Sequence, residues 1–227
     1  MAFKLYGHPT TTRTLRVALV AKERNIPYEF VLVDIMTGQQ KQAEHVEHNP
    51  FGLVPYIIQD DGFELFESRA IGRYLATLGS GPELIPTEPK AYAKFEQAAS
   101  VEYDQFDPIA VELSNETIWR QIRGEPPNEG RVKELVSRLE SKLDGYEVLL
   151  SKQKYLAGDD VTLADLFFLP YGRVIFERLG LGNLDKRPNV QRQALCRICM
   201  VRRLTCRCRW WKAISSRPAW QAVKDGI

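Results

Sequence analysis

Residues 49–71, Asn-Pro-Phe-Gly-Leu-Val-Pro-Tyr-Ile-Ile-Gln-Asp-Asp-Gly-Phe-Glu-Leu-Phe-Glu-Ser-Arg-Ala-Ile, decide the fold. Asp60-Asp61-Gly62 is a hairpin turn signal between two strand-like runs, Tyr56-Ile57-Ile58 and Glu64-Leu65-Phe66. Ser68 then opens a helical pattern that runs to Leu78. Upstream, Phe3 to Tyr6 is a short, mainly apolar run stopped by Gly7-His8-Pro9, as a buried strand entering a turn would be. Thr10-Thr11-Thr12 supplies good helix caps. Leu15, Ala18 and Leu19, with Arg16, Lys22 and Glu23 between them, give an amphipathic helix that Asn25-Ile26-Pro27 ends. Tyr28, Phe30 and Leu32 alternate with Glu29 in a second strand ending at Asp34. Thr37 to His48 is polar and irregular or weakly helical.

The order β-α-β followed by β-β-α is that of a thioredoxin-like unit, assigned to residues 1–79. Gly79 to Lys90 holds two Gly and three Pro, so 80–90 reads as an interdomain linker. In 91–227 every periodic segment is helical. Ala91 to Arg123 forms one or two long helices, broken by Gly124-Glu125-Pro126-Pro127. Arg131 to Ser151 carries Leu135, Leu139, Leu143 and Tyr146 on one face. Thr162-Leu163-Ala164-Asp165 has capping-box spacing before an apolar, buried helix. Trp210 to Lys224 is the last helical piece.

The chain of 227 residues is 44% hydrophobic and 26% charged, values of a folded globular protein. Its formal charge of +2 is unevenly spread. Gln191 to Cys208 holds Arg192, Arg197, Arg202, Arg203 and Arg207, no acidic residue, and all four cysteines, Cys196, Cys199, Cys206 and Cys208. Without these 18 residues the body is slightly acidic and cysteine-free. That excludes a disulfide framework and a cysteine nucleophile in the body. No apolar run approaches the roughly 18 residues of a membrane span, and Met1 to Pro9 lacks a signal-peptide core, so a cytoplasmic protein without membrane association is expected. His45 and His48 lie on a polar stretch with no third ligand nearby, which reads as a solvated face and no metal site.

Six phrases, in order, carry a family resemblance. They are Tyr6-Gly7-His8-Pro9 with its hydroxyls, Asn49-Pro50-Phe51-Gly52 with Val54-Pro55, Leu65-Phe66-Glu67-Ser68-Arg69-Ala70-Ile71, Gln105-Phe106-Asp107-Pro108, Leu156-Ala157-Gly158-Asp159 with Thr162 to Asp165, and Arg217-Pro218-Ala219-Trp220. From about residue 3 to the C-terminus, apart from the basic block, the sequence resembles the cytosolic glutathione transferases, most closely the phi class of plants and fungi. The resemblance implies an α/β thioredoxin-like N-terminal domain plus an all-α C-terminal helical domain. It implies conjugation of glutathione to small hydrophobic electrophiles, with glutathione as co-substrate, no cofactor and no metal. The partners it implies are those small molecules and a second copy of the chain, with no nucleic acid and no membrane. Glutathione-dependent peroxide reduction would use the same thiolate, and a non-catalytic or regulatory ligand-binding member of the fold is the alternative.

The chemistry needs little from the protein. A thiol of pKa about 8.5 is only a few per cent ionised at neutral pH, and each unit of lowering requires about 1.4 kcal/mol of preferential thiolate stabilisation. A hydroxyl donor at a helix N-terminus provides this. By the resemblance Thr11 falls where phi relatives carry their catalytic Ser. Thr12 is the adjacent alternative, Tyr6 a rival donor, and helix capping the bland role for all three threonines. Val54-Pro55 matches a cis-proline turn whose Val54 backbone pairs with the cysteinyl backbone of glutathione. Glu67 and Ser68 match the pair that holds the γ-glutamyl group, and Lys41 a residue aimed at the glycyl carboxylate. Gln40 and Leu53 stand where relatives carry His and Gln, and Leu53 has no side-chain donor; both favour the non-catalytic alternative. Ile35, Phe106, Ile109 and Trp119 are the carried-over electrophile pocket, each with plain core as its bland role. Phe51 matches an aromatic that inserts into a partner subunit in dimeric relatives.

The basic block invites two other readings. Cys196-x2-Cys199 with Cys206-x-Cys208 suggests zinc, but the loop between the pairs is tight. The arginines beside Trp210 and Trp211 suggest nucleic acid, but on no recognisable nucleic-acid fold. In relatives Arg-Pro-Asn-Val runs almost directly into Arg-Trp-Trp-Lys, so 191–208 reads as an insertion, and its composition as that of an in-frame retained intron.

Overall fold

The computed structural model describes residues 2–190 and 210–227; the proposed insertion at 191–208 lies outside them. Four strands form one sheet in the order β2-β1-β3-β4, with β1 (Phe3–Gly7), β2 (Tyr28–Leu32), β3 (Tyr56–Gln59) and β4 (Glu64–Phe66). β1 runs parallel to β2 and antiparallel to β3, and β3 antiparallel to β4. The Asp60-Asp61-Gly62 turn closes β3 onto β4, with Gly62 at φ +84° and Phe63 N–H donating to Asp61 Oδ1 at 3.0 Å. The polar stretch after β2 holds a 3₁₀ turn at Gln39–Lys41 and a short helix α2 (Ala43–Val46). Helices α1 (Thr12–Glu23) and α3 (Ser68–Ala76) pack against each other in this unit.

Helix α1 departs from its amphipathic reading. Thr14 to Ala21 are all buried, Arg16 completely, and Glu23 is buried too. A one-sided pattern cannot show what covers the polar face. Glu23 Oε2 accepts from Arg217 Nη2 at 2.6 Å. Arg217–Ile227 group with Met1–Pro86 in the first compact unit, within which that ion pair lies, and Thr87–Ser216 form the second. The start of the expected linker is likewise fastened to the first unit. Buried Arg24 donates to the carbonyls of Leu78 (2.7 Å), Gly79 (3.1 Å) and Pro82 (2.6 Å), and to that of Gly81. Gly81 sits so close to α1 that a Cβ would lie 1.9 Å from Glu23 O.

In the second unit Glu88 caps α4 (Pro89–Val101), accepting from Ala91 N–H at 2.7 Å. The helical path continues without a break through a π segment (Glu102–Phe106), α5 (Asp107–Ser114), a second π segment (Asn115–Trp119) and α6 (Arg120–Ile122). Pro108 lacks the N–H that would bond Asp104 C=O, which fits the register shift just before it. α7 (Glu129–Lys152) follows, then α8 (Leu163–Gly172). The capping box forms as read: Asp165 Oδ2 accepts from Thr162 N–H (2.9 Å) and hydroxyl (3.2 Å). Its other oxygen accepts from Leu156 N–H (2.9 Å) and Trp210 Nε1 (2.6 Å). Burial pushes this carboxyl above the usual range, and the four donors oppose the shift. Phe168 carries the aromatic core, stacked on Phe106 at 3.7 Å and edge-on to Trp210 at 4.7 Å.

The expected last helix, Trp210 to Lys224, is two: α9 (Trp210–Ser215) and α10 (Pro218–Gln221). Pro218 sits at the start of α10, where its missing N–H has no helical partner to lose. The flanks of the undescribed block are anchored. Arg187 binds Glu140 (2.6 Å) and Asp144 (2.7 Å), and Glu147 accepts from the N–H groups of Asn189 and Val190, both at 3.0 Å. Trp211 N–H donates to Val190 C=O at 3.2 Å.

Candidate active site

The strand register gathers the candidate residues of the first unit. Tyr6, Tyr56 and Phe66 form one row across the sheet. The chain leaves β1 beyond this row toward Thr11, enters β3 just before it from Val54-Pro55, and leaves β4 just after it into Glu67-Ser68. Gly7 pairs with Leu32, so the segment carrying Ile35 emerges at the same sheet end. The N-termini of α1 and α3 both lie here, and their positive dipole ends favour anions.

Thr11 is the N-cap residue of α1, yet its side chain makes no cap hydrogen bond. Its hydroxyl lies 3.1 Å from His8 C=O and 2.7 Å from the Thr14 hydroxyl. Thr10 pairs with His8 Nδ1 at 3.1 Å, and Thr12 is the first helical residue. The capping role therefore describes none of the three hydroxyls. Tyr6 is half-buried, its ring stacked on Tyr56 at 4.6 Å and 9°.

The Val54–Pro55 peptide bond is cis. Val54 precedes the first paired residue of β3, so its N–H and C=O lie outside the ladder. Asn49 shapes the loop before it: its side chain accepts from Phe51 N–H (3.2 Å) and donates to Leu53 C=O (2.8 Å). The Leu53 side chain is 42% exposed. Lys41 Nζ donates to Phe51 C=O at 3.2 Å, across the same loop. Gly52 makes this approach possible, because a Cβ there would lie 2.7 Å from Lys41 Cδ.

Glu67, not Ser68, is the N-cap residue of α3, and it holds φ +70°, a region that costs a non-glycine residue energy. Ser68 is the first helical residue and is buried. Arg16 Nη1 donates to its hydroxyl at 3.0 Å. Arg16 and Thr14 are the functional candidates that sequence reading missed. The signal was available, since both interrupt the apolar run of α1.

Of the electrophile candidates, Ile35 belongs to the first unit and Phe106, Ile109 and Trp119 to the second. Phe106 and Ile109 are buried, Phe106 within the aromatic core, while Ile35 and Trp119 keep part of their surface. His45 corrects its solvated-face reading: it is buried, with Nδ1 2.7 Å from Tyr56 OH. Burial, then the neighbouring Tyr6, Glu44 and Glu64, pushes the Tyr56 phenol well above its ordinary value. His48 is half-buried and pairs with Glu64 at 2.8 Å. Among the described residues no group of three or more His, Cys, Asp or Glu is placed to hold a metal ion, and no helix is long and apolar enough to cross a membrane.

Comparisons with known proteins bear on the family and the fold. Residues 1–77 match the glutathione S-transferase N-terminal domain and residues 114–193 the C-terminal domain. The chain is 48% identical over 192 residues to glutathione S-transferase PM239X14 of Arabidopsis thaliana, covering 83% of this chain and 88% of that one. The crystal structure of glutathione transferase F7 from Populus trichocarpa superposes with a TM-score of 0.85 at 35% identity, over 98% of both chains. Glutathione S-transferase I from mais, in complex with an atrazine glutathione conjugate, gives 0.83 at 30% identity, over 98% of this chain and 96% of that one. The chain belongs to the glutathione S-transferase family, in its phi class.

Proposed function

We propose that this protein ionises the thiol of glutathione at Thr11 and transfers the thiolate to small hydrophobic electrophiles. One observation carries the reading: Thr11 stands at the N-terminus of α1 with its hydroxyl unused as a cap. A charge-assisted hydrogen bond from that hydroxyl and the helix dipole both favour the anion. The rest of glutathione is assigned to the same sheet end. Ser68, at the start of α3, suits the γ-glutamyl carboxylate, and Glu67 the ammonium. The Val54 backbone takes the cysteinyl unit as an added strand beside Pro55, preceded by Leu53, and Lys41 takes the glycyl carboxylate. The chemistry calls for glutathione as co-substrate and for no further cofactor.

The relative from mais holds a glutathione conjugate of atrazine, which supports a small-molecule electrophile. Ile35, partly exposed in the first unit, is the contact we assign to it. Phe51 is 65% exposed at a loop tip, which supports a homodimer that buries it. The reducing pool in which glutathione is kept as a thiol supports a cytoplasmic placement.

The test is the ultraviolet difference spectrum of bound glutathione at neutral pH, for the wild type and Thr11→Ala. A thiolate band that disappears in the variant is expected. Binding without a thiolate band in the wild type would overturn the enzymatic reading. An unchanged band in the variant would move the donor to Thr12 or Tyr6.

A further inference from the structure

The Thr11 hydroxyl has two oxygen neighbours and one proton. His8 C=O, at 3.1 Å, can only accept, so that contact takes the Thr11 proton. The shorter contact, 2.7 Å to Thr14 Oγ1, then requires Thr14 as the donor. With both contacts made at once as hydrogen bonds, donation runs from Thr14 to Thr11 to His8 C=O. Packing holds the Thr14 side chain in place. It is completely buried on α1, and its Cγ2 and Oγ1 press on Gly7, where a Cβ would come within 2.6 Å of either atom. Being β-branched, it has few rotamers to begin with. His8 C=O also accepts the Thr11 N–H at 3.2 Å, so it keeps a partner if the Thr11 proton leaves it.

We propose that Thr14 is the positioning residue that aims the Thr11 proton at the sulfur of glutathione, an inference that rests on the reading of Thr11 as the thiolate donor. When the thiolate arrives, the Thr11 O–H swings from His8 C=O to sulfur, and Thr14 continues to donate to Thr11 Oγ. A donor that is itself accepting a hydrogen bond is polarised and donates more strongly. Thr14 thereby lowers the thiol pKa without touching the substrate.

The experiment is a pH titration of the thiolate absorbance of bound glutathione, with the pH profile of kcat, in wild type, Thr14→Val, Thr14→Ser and Thr11→Val. Val keeps the shape of Thr14 and removes only its hydroxyl. Thr14→Val is expected to titrate about half a pH unit higher, a roughly threefold loss of thiolate at pH values below both titrations. Its kcat should fall by a similar factor there and converge on the wild-type value at alkaline pH, which a packing defect would not do. Thr14→Ser, which restores the hydroxyl, should return the titration to the wild-type position. If Thr11→Val raises the titration while Thr14→Val matches wild type, the role of Thr14 is overturned and that of Thr11 stands. If Thr11→Val also matches wild type, the donor reading fails and the inference with it.

Discussion

Deleting residues 191–208 should stabilise the protein, and the structure sets the register of the deletion. Val190 is completely buried and its C=O accepts from Trp211 N–H at 3.2 Å. With 191–208 removed, Val190 is followed by Arg209, Trp210 and Trp211, so this bond becomes an i to i+3 bond of the first turn of α9. The flanks need not move, since Glu147 holds one and Asp165 the other. Bringing two points of a chain together costs entropy that grows with the logarithm of the chain between them. The intervening chain falls from 20 residues to two. A tenfold shortening is worth about 2 kcal/mol. For a chain of this size that corresponds to a rise in Tm of roughly 4–8 °C. Thermal unfolding under reducing conditions measures it, and the thiolate titration of bound glutathione should not change. A shorter control sharpens the test. Removing 191–209 leaves only Trp210 between the bonded pair, a spacing that allows a γ-turn but no helical turn, and should forfeit most of the gain. A lower Tm for the 191–208 deletion, or equal Tm values for the two deletions, would refute the register.

Three further outcomes are expected. Asp165→Ala leaves the N–H groups of Leu156, Thr162 and Trp210 without their buried acceptor, so chemical denaturation should show a loss of about 3 kcal/mol or more. Ser68→Ala should raise the glutathione KM roughly tenfold, equivalent to about 1.4 kcal/mol, while the thiolate titration of the bound substrate stays in place. Gly52→Ala puts a Cβ at φ +58° and 2.7 Å from Lys41 Cδ, so steady-state kinetics should show a raised glutathione KM with kcat little changed, alongside a loss of stability of about 1–2 kcal/mol.

The fold was legible because its deciding signals are local. The Asp60-Asp61-Gly62 turn, the apolar run of β1 and the Thr162–Asp165 box each act within a few residues, and each appears in the structure where the sequence puts it. Misreadings cluster where the partner is remote. Arg16 and Glu23 look like a solvent face until Ser68 and Arg217 are brought to them, the latter from 194 residues away. His45 looks solvated until Tyr56, on β3, covers it. The helical pattern of α3 opens at Ser68 as the sequence reads it, and the residue before it, Glu67, is the cap and holds positive φ. The break in the C-terminal helix had a local signal, Arg217-Pro218, since the residue before a proline is driven out of the helical region.

Helix α1 shows what the site asks of the fold. A helix buried from Thr14 to Ala21 would be most stable with apolar side chains at 14 and 16. It carries instead a hydroxyl and a guanidinium, both fully buried and both hydrogen-bonded to residues assigned to glutathione: Thr14 to Thr11, Arg16 to Ser68. Thr11 and Ser68 stand at the N-termini of different helices. Two buried donors on one rigid helix fix both directions at once. The stability given up at 14 and 16 is therefore spent on orientation. Thr14→Val should accordingly unfold no earlier than wild type while titrating its bound thiol higher. Stability and function would then move in opposite directions at a residue that touches no substrate.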